Sequence, residues 1–154
     1  MIKILFICHG NICRSPMAEF LMKDLIARQG LSGQFYIASA ATSMEEIGNG
    51  VHRGTRRILE NLGISCAGKR AVRLEVSDYR KYDYLIGMDS WNVKNILRIV
   101  GSDPEHKVYR LLDFTDHPRD IADPWYTGDF DATYRDIREG LEALLAQVQE
   151  VLKQ

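Results

Sequence analysis

Short apolar runs alternate with amphipathic stretches along the whole of this chain. Ile2 to Ile7 is the first run, with Lys3 its only charge, and its length and branched side chains predict a short buried strand. Beyond Pro16, the residues Ala18, Leu21, Met22, Leu25 and Ile26 recur at helical spacing, with Ser15 as the expected N-cap and Gly30 as the stop. Phe35 to Ser39 predicts a second strand, and the polar stretch Ser43 to Gly50 a loop. From His52 a second stripe runs through Thr55, Ile58, Leu59 and Leu62 to Gly63. Arg53, Arg56 and Arg57 occupy its other faces as a solvated surface. Ile64 to Leu74 has no clear period. Tyr84 to Met88 predicts a third strand, after which Asp89-Ser90 opens a helix carrying Val93, Ile96, Leu97 and Val100 up to Gly101. Val108 to Leu112 predicts a fourth strand and Asp113 to Gly128 a long polar loop. Tyr134, Ile137, Leu141, Leu144, Leu145, Val148 and Leu152 trace the last helix.

Strand and helix alternate throughout, which predicts the α/β class: a doubly wound, four-stranded parallel sheet with helices on both faces. A length of 154 residues suits one domain, 1–154, and no linker or repeat divides it. Ligands of such sheets bind beyond the carboxyl ends of the strands. The loop leaving the first strand, Cys8-His9-Gly10-Asn11-Ile12-Cys13-Arg14-Ser15-Pro16, therefore falls where chemistry is expected.

Charge and cysteine content narrow the partners. Twenty basic against twenty-one acidic side chains leave a formal charge of −1, which gives no reason to expect nucleic acid or an anionic membrane as partner. No apolar run approaches the roughly twenty residues that span a bilayer. Three cysteines without a half-cystine framework point to a reducing compartment, so a cytoplasmic protein is expected. His9, His52, His106 and His117 are scattered, without zinc-type spacing to the cysteines, and no metal or other cofactor is expected.

A Cys and an Arg separated by five residues can curl into one loop, bringing backbone N–H groups and a guanidinium onto the sulfur. The helix that follows points its free N–H groups and positive end at the same place, which favours a bound dianion and activates a nearby thiol. Arg14 adds a fixed charge and a planar fork for two phosphate oxygens. The loop thus reads as an anion cradle around a nucleophilic thiol. Cleaving a phosphate ester also needs an acid for the departing oxygen, and Asp113, Asp116, Asp120 and Asp123 share one loop. Chemistry alone leaves the choice among them open. Asp123-Pro124-Trp125-Tyr126 is distinctive because Pro124 keeps Asp123 extended and two aromatics follow, able to sandwich a phenyl ring.

The Cys-X-Gly-Asn-X-Cys-Arg-Ser-Pro motif, Ser39-Ala40-Ala41-Thr42 and Asp123-Pro124, in that order and spacing, resemble the low-molecular-weight protein tyrosine phosphatases over nearly the whole chain. The resemblance implies a flavodoxin-like sheet of order 2-1-3-4 and a metal-free, two-step hydrolysis of phosphotyrosine and aryl phosphates. Under it Cys8 is the nucleophile, Arg14 the phosphate clamp and Asp123 the general acid and then base. His9, Gly10, Asn11, Ile12, Cys13, Arg14 and Ser15 bind the phosphate. Asn11, Ser15 and Ser39 hold the loop in shape, with Ser15 also bonded to the Cys8 thiolate. Trp125 and Tyr126 form a wall of the substrate cleft. Cys13 resembles the second cysteine that traps an oxidised nucleophile as a disulfide, and Cys66 is a structural thiol. Phosphotyrosine proteins, such as a bacterial tyrosine kinase or its substrates, are the implied partners of a monomeric enzyme.

The chain also departs from that family. Glu45 stands where an aromatic cleft residue is common, and a carboxylate there would repel acidic peptides; Gly68 and Lys69 occupy the expected place of a loop-holding His. Three rival functions follow. Arsenate reductases of this fold need further redox cysteines, and only Cys66 lies beyond the motif. Phosphoarginine phosphatases carry Thr where this chain has Ile12. A phosphate-binding or phosphocarrier module would have no use for Asp123.

Overall fold

The computed structural model describes residues 1–153. Its centre is the strand β1 (Ile2–Cys8), flanked by β2 (Phe35–Ala41) on one side and β3 (Tyr84–Gly87) on the other, with β4 (Val108–Arg110) beyond β3. All pairings are parallel, and the order β2-β1-β3-β4 is the one the resemblance implied. Register runs from Ile2 opposite Phe35 to Cys8 opposite Ala41, so the first two strands end together and both feed the same edge of the molecule.

Alternation along β1 builds two core layers. Ile4, Phe6 and Cys8 face one way, onto Met17 and Met22 of α1 (Arg14–Arg28) and onto Ile137, Leu141 and Leu144 of the long C-terminal helix (Phe130–Leu152). Leu5 and Ile7 face the other way, onto Leu85 and onto Ile96 of the helix Ser90–Val100. Full burial of such side chains stabilises by roughly 1.5–3 kcal/mol each. The Cys8 backbone is therefore anchored from both faces of the sheet.

In chain order the helices are α1, α2 (Arg53–Asn61), the single turn α3 (Asp78–Lys81), α4 (Ser90–Val100), the single turn α5 (Pro124–Thr127) and α6 (Phe130–Leu152). α2 buries Thr55, Ile58 and Leu59 and leaves Arg53, Arg56 and Arg57 exposed, as its pattern predicted. Three expectations need correction. α1 begins at Arg14, and its N-cap is Cys13 without a side-chain bond, so Ser15 is inside the helix and its hydroxyl is used elsewhere. β4 stops at Arg110 because Leu111–Phe114 turns into a 3-10 segment that packs Leu111 against Gly140, where an added Cβ would lie 2.5 Å from Leu111 Cγ. The polar stretch from Asp113 to Gly128 is not all loop, since Asp123 caps α5.

Candidate active site

β1 ends at Cys8, and the next residues wrap round its sulfur before α1 begins. The turn requires Asn11 at φ 59°, a left-handed conformation that Asn tolerates better than most residues. Among the described residues the backbone N–H groups of Gly10 to Arg14 find no acceptor, while Ser15 N–H donates to Cys8 Sγ at 3.4 Å. One N–H thus points at the thiol and five uncommitted ones lie on the loop beside it, at the N-terminus of a fifteen-residue helix, an arrangement suited to an anion.

Arg14 is 2% exposed. Its Nη1 donates to Asp89 Oδ2 at 2.6 Å and to the Ile121 carbonyl at 2.8 Å, and its Nη2 to Asp123 Oδ2 at 3.4 Å. Nε is buried without a partner and Nη2 commits only one of its two N–H groups, which leaves two donors of the guanidinium uncommitted. Burial works against the Arg14 charge, but the field of Cys8 and the Asp89 and Asp123 carboxylates outweighs it and holds the guanidinium above its ordinary value. Asp89, two residues beyond β3, was read in the sequence only as the start of a helix. It also caps α4 by accepting from Asn92 N–H at 2.7 Å, so one carboxylate fixes both a helix and the Arg14 side chain.

Behind the loop lies a chain of hydrogen bonds whose direction can be worked out. Glu19 Oε1 accepts from Ser39 Oγ at 2.5 Å, which commits the Ser39 proton. Asn11 Nδ2 then gives its two protons to Ser39 Oγ (2.9 Å) and Ser15 Oγ (2.8 Å), and Asn11 Oδ1 accepts from Val72 N–H at 3.1 Å, fixing which way the amide faces. The Ser15 hydroxyl proton is left for Cys8 Sγ, 3.0 Å away. Asn11 and Ser15 are accordingly behind the cleft, at 1% and 0% exposure, contributing backbone N–H groups to its surface and side chains to its support. Lys69, at the place of the absent His, donates to the Ser39 carbonyl at 3.0 Å and lies 3.6 Å from Glu19 Oε1. Burial pulls Lys69 below its ordinary value although Glu19 opposes it. Glu19 was missed in the sequence, where Lys69 was noted only as standing at the place of the His; the one signal for Glu19 was an acid on the apolar side of α1, five residues after Arg14.

The cleft over the thiol is lined by Cys8, His9, Gly10, Ile12, Cys13, Arg14, Glu45, Glu46, Asp123, Trp125 and Tyr126. Of the four loop aspartates only Asp123 is there. Asp113 and Asp120 are tied to Arg110, and Asp116 is exposed. Asp123 Oδ1 accepts from Trp125 N–H at 3.0 Å, which turns the other oxygen toward Arg14. Trp125 meets His52 edge-on at 5.7 Å, and His52 stacks on Phe130 at 5.0 Å, so the exposed aromatic wall is steadied from below. Burial, with Arg53 and Arg56 nearby, holds His52 below its ordinary value. Burial, together with the charges of Cys8 and Asp123, pushes the Cys13 thiol up to about 12. Cys66 is buried against Val51 and Leu59, carries no disulfide, and burial raises it too. A wider depression of about 480 Å³ beside it, between α2 and residues 63–70, contains none of the cradle groups. Among the described residues no group of three or more His, Cys, Asp or Glu side chains is placed to hold a metal.

A thiol with uncommitted N–H donors on its loop, a buried guanidinium beside it and a carboxylate across the cleft, on the carboxyl edge of a parallel sheet, is the equipment of a cysteine-dependent phosphatase. The family profile described as low molecular weight phosphotyrosine protein phosphatase matches residues 3–154. The chain is 41% identical to the low molecular weight protein-tyrosine-phosphatase YfkJ of Bacillus subtilis, covering 97% of both chains, and superimposes on the YfkJ crystal structure with a TM-score of 0.94. The low molecular weight protein tyrosine phosphatase SP-PTP of Streptococcus pyogenes is similar at 39% identity, 100% and 99% coverage and TM-score 0.87. A Drosophila arginine phosphatase shares the fold at 26% identity, 96% and 98% coverage and TM-score 0.86. This protein belongs to the low-molecular-weight protein-tyrosine-phosphatase family and is an enzyme of that class.

Proposed function

We propose that the enzyme hydrolyses phosphotyrosine and related aryl phosphates through a phosphocysteine on Cys8, with Asp123 as general acid and then general base. The observation that carries this is the cleft that Cys8, Arg14 and Asp123 line together. Cys8 Sγ forms a bond to phosphorus as the bond to the phenolic oxygen breaks, and that oxygen takes the proton of Asp123. The loop N–H groups and Arg14 hold the three non-bridging oxygens, where charge is spread in the transition state. Water then attacks phosphorus, gives a proton to Asp123, and the sulfur leaves as a thiolate that Ser15 receives with its hydroxyl.

The aromatic wall and the aliphatic Ile12 on the cleft floor suit a phenyl ring, and Ile12 offers no hydroxyl to a guanidinium, which favours phosphotyrosine over phosphoarginine. YfkJ and SP-PTP, by their names tyrosine phosphatases, support the same choice. Phosphotyrosine proteins, including a bacterial tyrosine kinase or its substrates, are the partners this implies, for a monomer acting in the cytoplasm. The unpaired thiols fit that compartment, and among the described residues no helix is long and apolar enough to cross a membrane. Turnover of aryl phosphates spanning good and poor leaving groups tests the mechanism. Cys8→Ser should abolish it, and Asp123→Ala should slow poor leaving groups far more than p-nitrophenyl phosphate. Undiminished turnover in Cys8→Ser, or an equal loss for all leaving groups in Asp123→Ala, contradicts the assigned roles.

A further inference from the structure

The rim of the cleft carries charge that the hydrolysis does not use. Glu45 and Glu46 lie on the segment 43–50 and line the cleft together with Trp125 and Tyr126. Glu45 Oε2 pairs with His9 Nε2 at 3.0 Å, yet the side chain stays 71% exposed. Glu46 Oε2 accepts from Asn49 Nδ2 at 2.6 Å, and its Cγ would be 3.3 Å from a Cβ on Gly10, so its stem leans on the phosphate loop itself. The second oxygen of each carboxylate has no hydrogen-bond partner among the described residues.

Little positive charge lines the cleft beside them. Among the described residues Arg14 is the only Lys or Arg lining the cleft, and it is buried and paired with Asp89 and Asp123. Arg56 and Arg57 turn to Glu60 and Asp131, and Arg73 turns its Nε to the Thr42 carbonyl at 3.4 Å. Met44 and Ile47, both exposed, flank the two glutamates, so the rim is apolar and acidic. A phosphotyrosine whose phosphoryl group sits in the cradle must carry its neighbouring residues across this rim.

We propose that Glu45 and Glu46 select phosphotyrosine sites with Lys or Arg close by in sequence and reject those with acidic neighbours. The proposal rests on the phosphotyrosine reading and adds the class of site. A long basic side chain on an adjacent residue reaches either carboxylate, whereas Asp or Glu meets like charge within the Debye length of about 8 Å. Exposed ion pairs are weak, about two- to fivefold each, so two of them acting on basic and acidic peptides in opposite senses separate the two by about tenfold. The rim is equally near in the bound and transition states, so the difference falls in KM more than in kcat.

Three phosphotyrosyl peptides of one length, flanked by Lys, Ala or Glu on both sides, test this together with p-nitrophenyl phosphate. The wild type should prefer the Lys peptide to the Glu peptide by about tenfold in kcat/KM, less at high salt. Glu45→Gln with Glu46→Gln should reduce the preference to about twofold or less, and the double charge reversal to Lys should invert it. Equal use of all three peptides by the wild type, or a preference that survives the double Gln variant, overturns the proposal while p-nitrophenyl phosphate turnover keeps the phosphatase reading intact. Loss of every turnover in the wild type overturns both.

Discussion

Glu19 touches neither the cleft nor the thiol, yet the hydrogen-bond chain makes it responsible for the proton that Ser15 offers to Cys8. Replacing it with Gln substitutes an amide that can donate for a carboxylate that only accepts. Once the amide N–H₂ faces Ser39, the Ser39 proton is no longer committed, Asn11 loses one of its acceptors, and the Ser15 hydroxyl is free to turn away from sulfur. A hydrogen bond to a charged group contributes about 1.5–3 kcal/mol, so its full loss at the thiolate is worth about ten- to 150-fold. Partial loss should slow turnover about tenfold. Glu19 also neutralises Lys69, 3.6 Å away and 13% exposed, and Lys23 at 2.6 Å. Removing it should cost about 1–3 kcal/mol of stability, limited by the ease with which the buried Lys69 sheds its proton. The assay is alkylation of Cys8 by iodoacetamide at fixed pH, with a thermal melt to show that the variant is folded at the assay temperature. Glu19→Gln should alkylate about tenfold more slowly in the parent and no more than twofold more slowly in a Ser15→Ala background, because the effect runs through that hydroxyl. A folded Glu19→Gln protein that alkylates at the parent rate, or that loses as much without Ser15, refutes the reasoning.

Two other predictions concern the thiol pair and the aromatic wall. Peroxide converts Cys8 to a sulfenic acid, and condensation with the Cys13 thiol, releasing water, would give a disulfide that a thiol reductant reopens. Burial and then the Cys8 charge hold Cys13 up to about 12, and oxidation of Cys8 to a neutral sulfenic acid removes the second of these. Activity should return on reduction in the parent and much less in Cys13→Ser, and equal recovery counts against the trap. His52 is held below its ordinary value of 6.5 in the folded state, so the unfolded chain binds its proton more readily. The stabilisation is therefore present above about pH 6.5 and lost as pH falls through the folded value. Melting temperature should drop less between pH 6.5 and 5.5 in His52→Asn, which keeps a capping acceptor at the start of α2, than in the parent; parallel slopes would exclude this contribution.

The parts of the site that lie together in sequence were legible in it. Cys8 to Pro16 carries its own spacing, turn residue and helix start, and the alternation in β1 and the stripes of α2, α4 and α6 follow from periodicity alone. What was not legible depends on which elements the sheet order brings side by side. Asp89 meets Arg14 only because β3 lies next to β1, and Glu19 meets Ser39 and Lys69 only because α1 crosses the end of β2. Ser15 misled for a related reason. Ser before Pro reads as an N-cap locally, but the helix starts a residue earlier and the hydroxyl is claimed by Asn11 and Cys8 from the loop. Asp123 could be chosen among four aspartates only through the resemblance. In space the others are held by Arg110 or exposed, a distinction that no local pattern records.

Asn11 answers an unusual pair of demands. Its backbone asks for a residue at ease in the left-handed region, and its amide asks for two donors and an acceptor in fixed directions. Glycine answers the first demand without the second, glutamine the second without the first, and aspartate tolerates the turn but has no proton to give. None of these three replacements therefore meets both demands at position 11, and each should loosen the bonds that direct the Ser15 hydroxyl at the Cys8 sulfur.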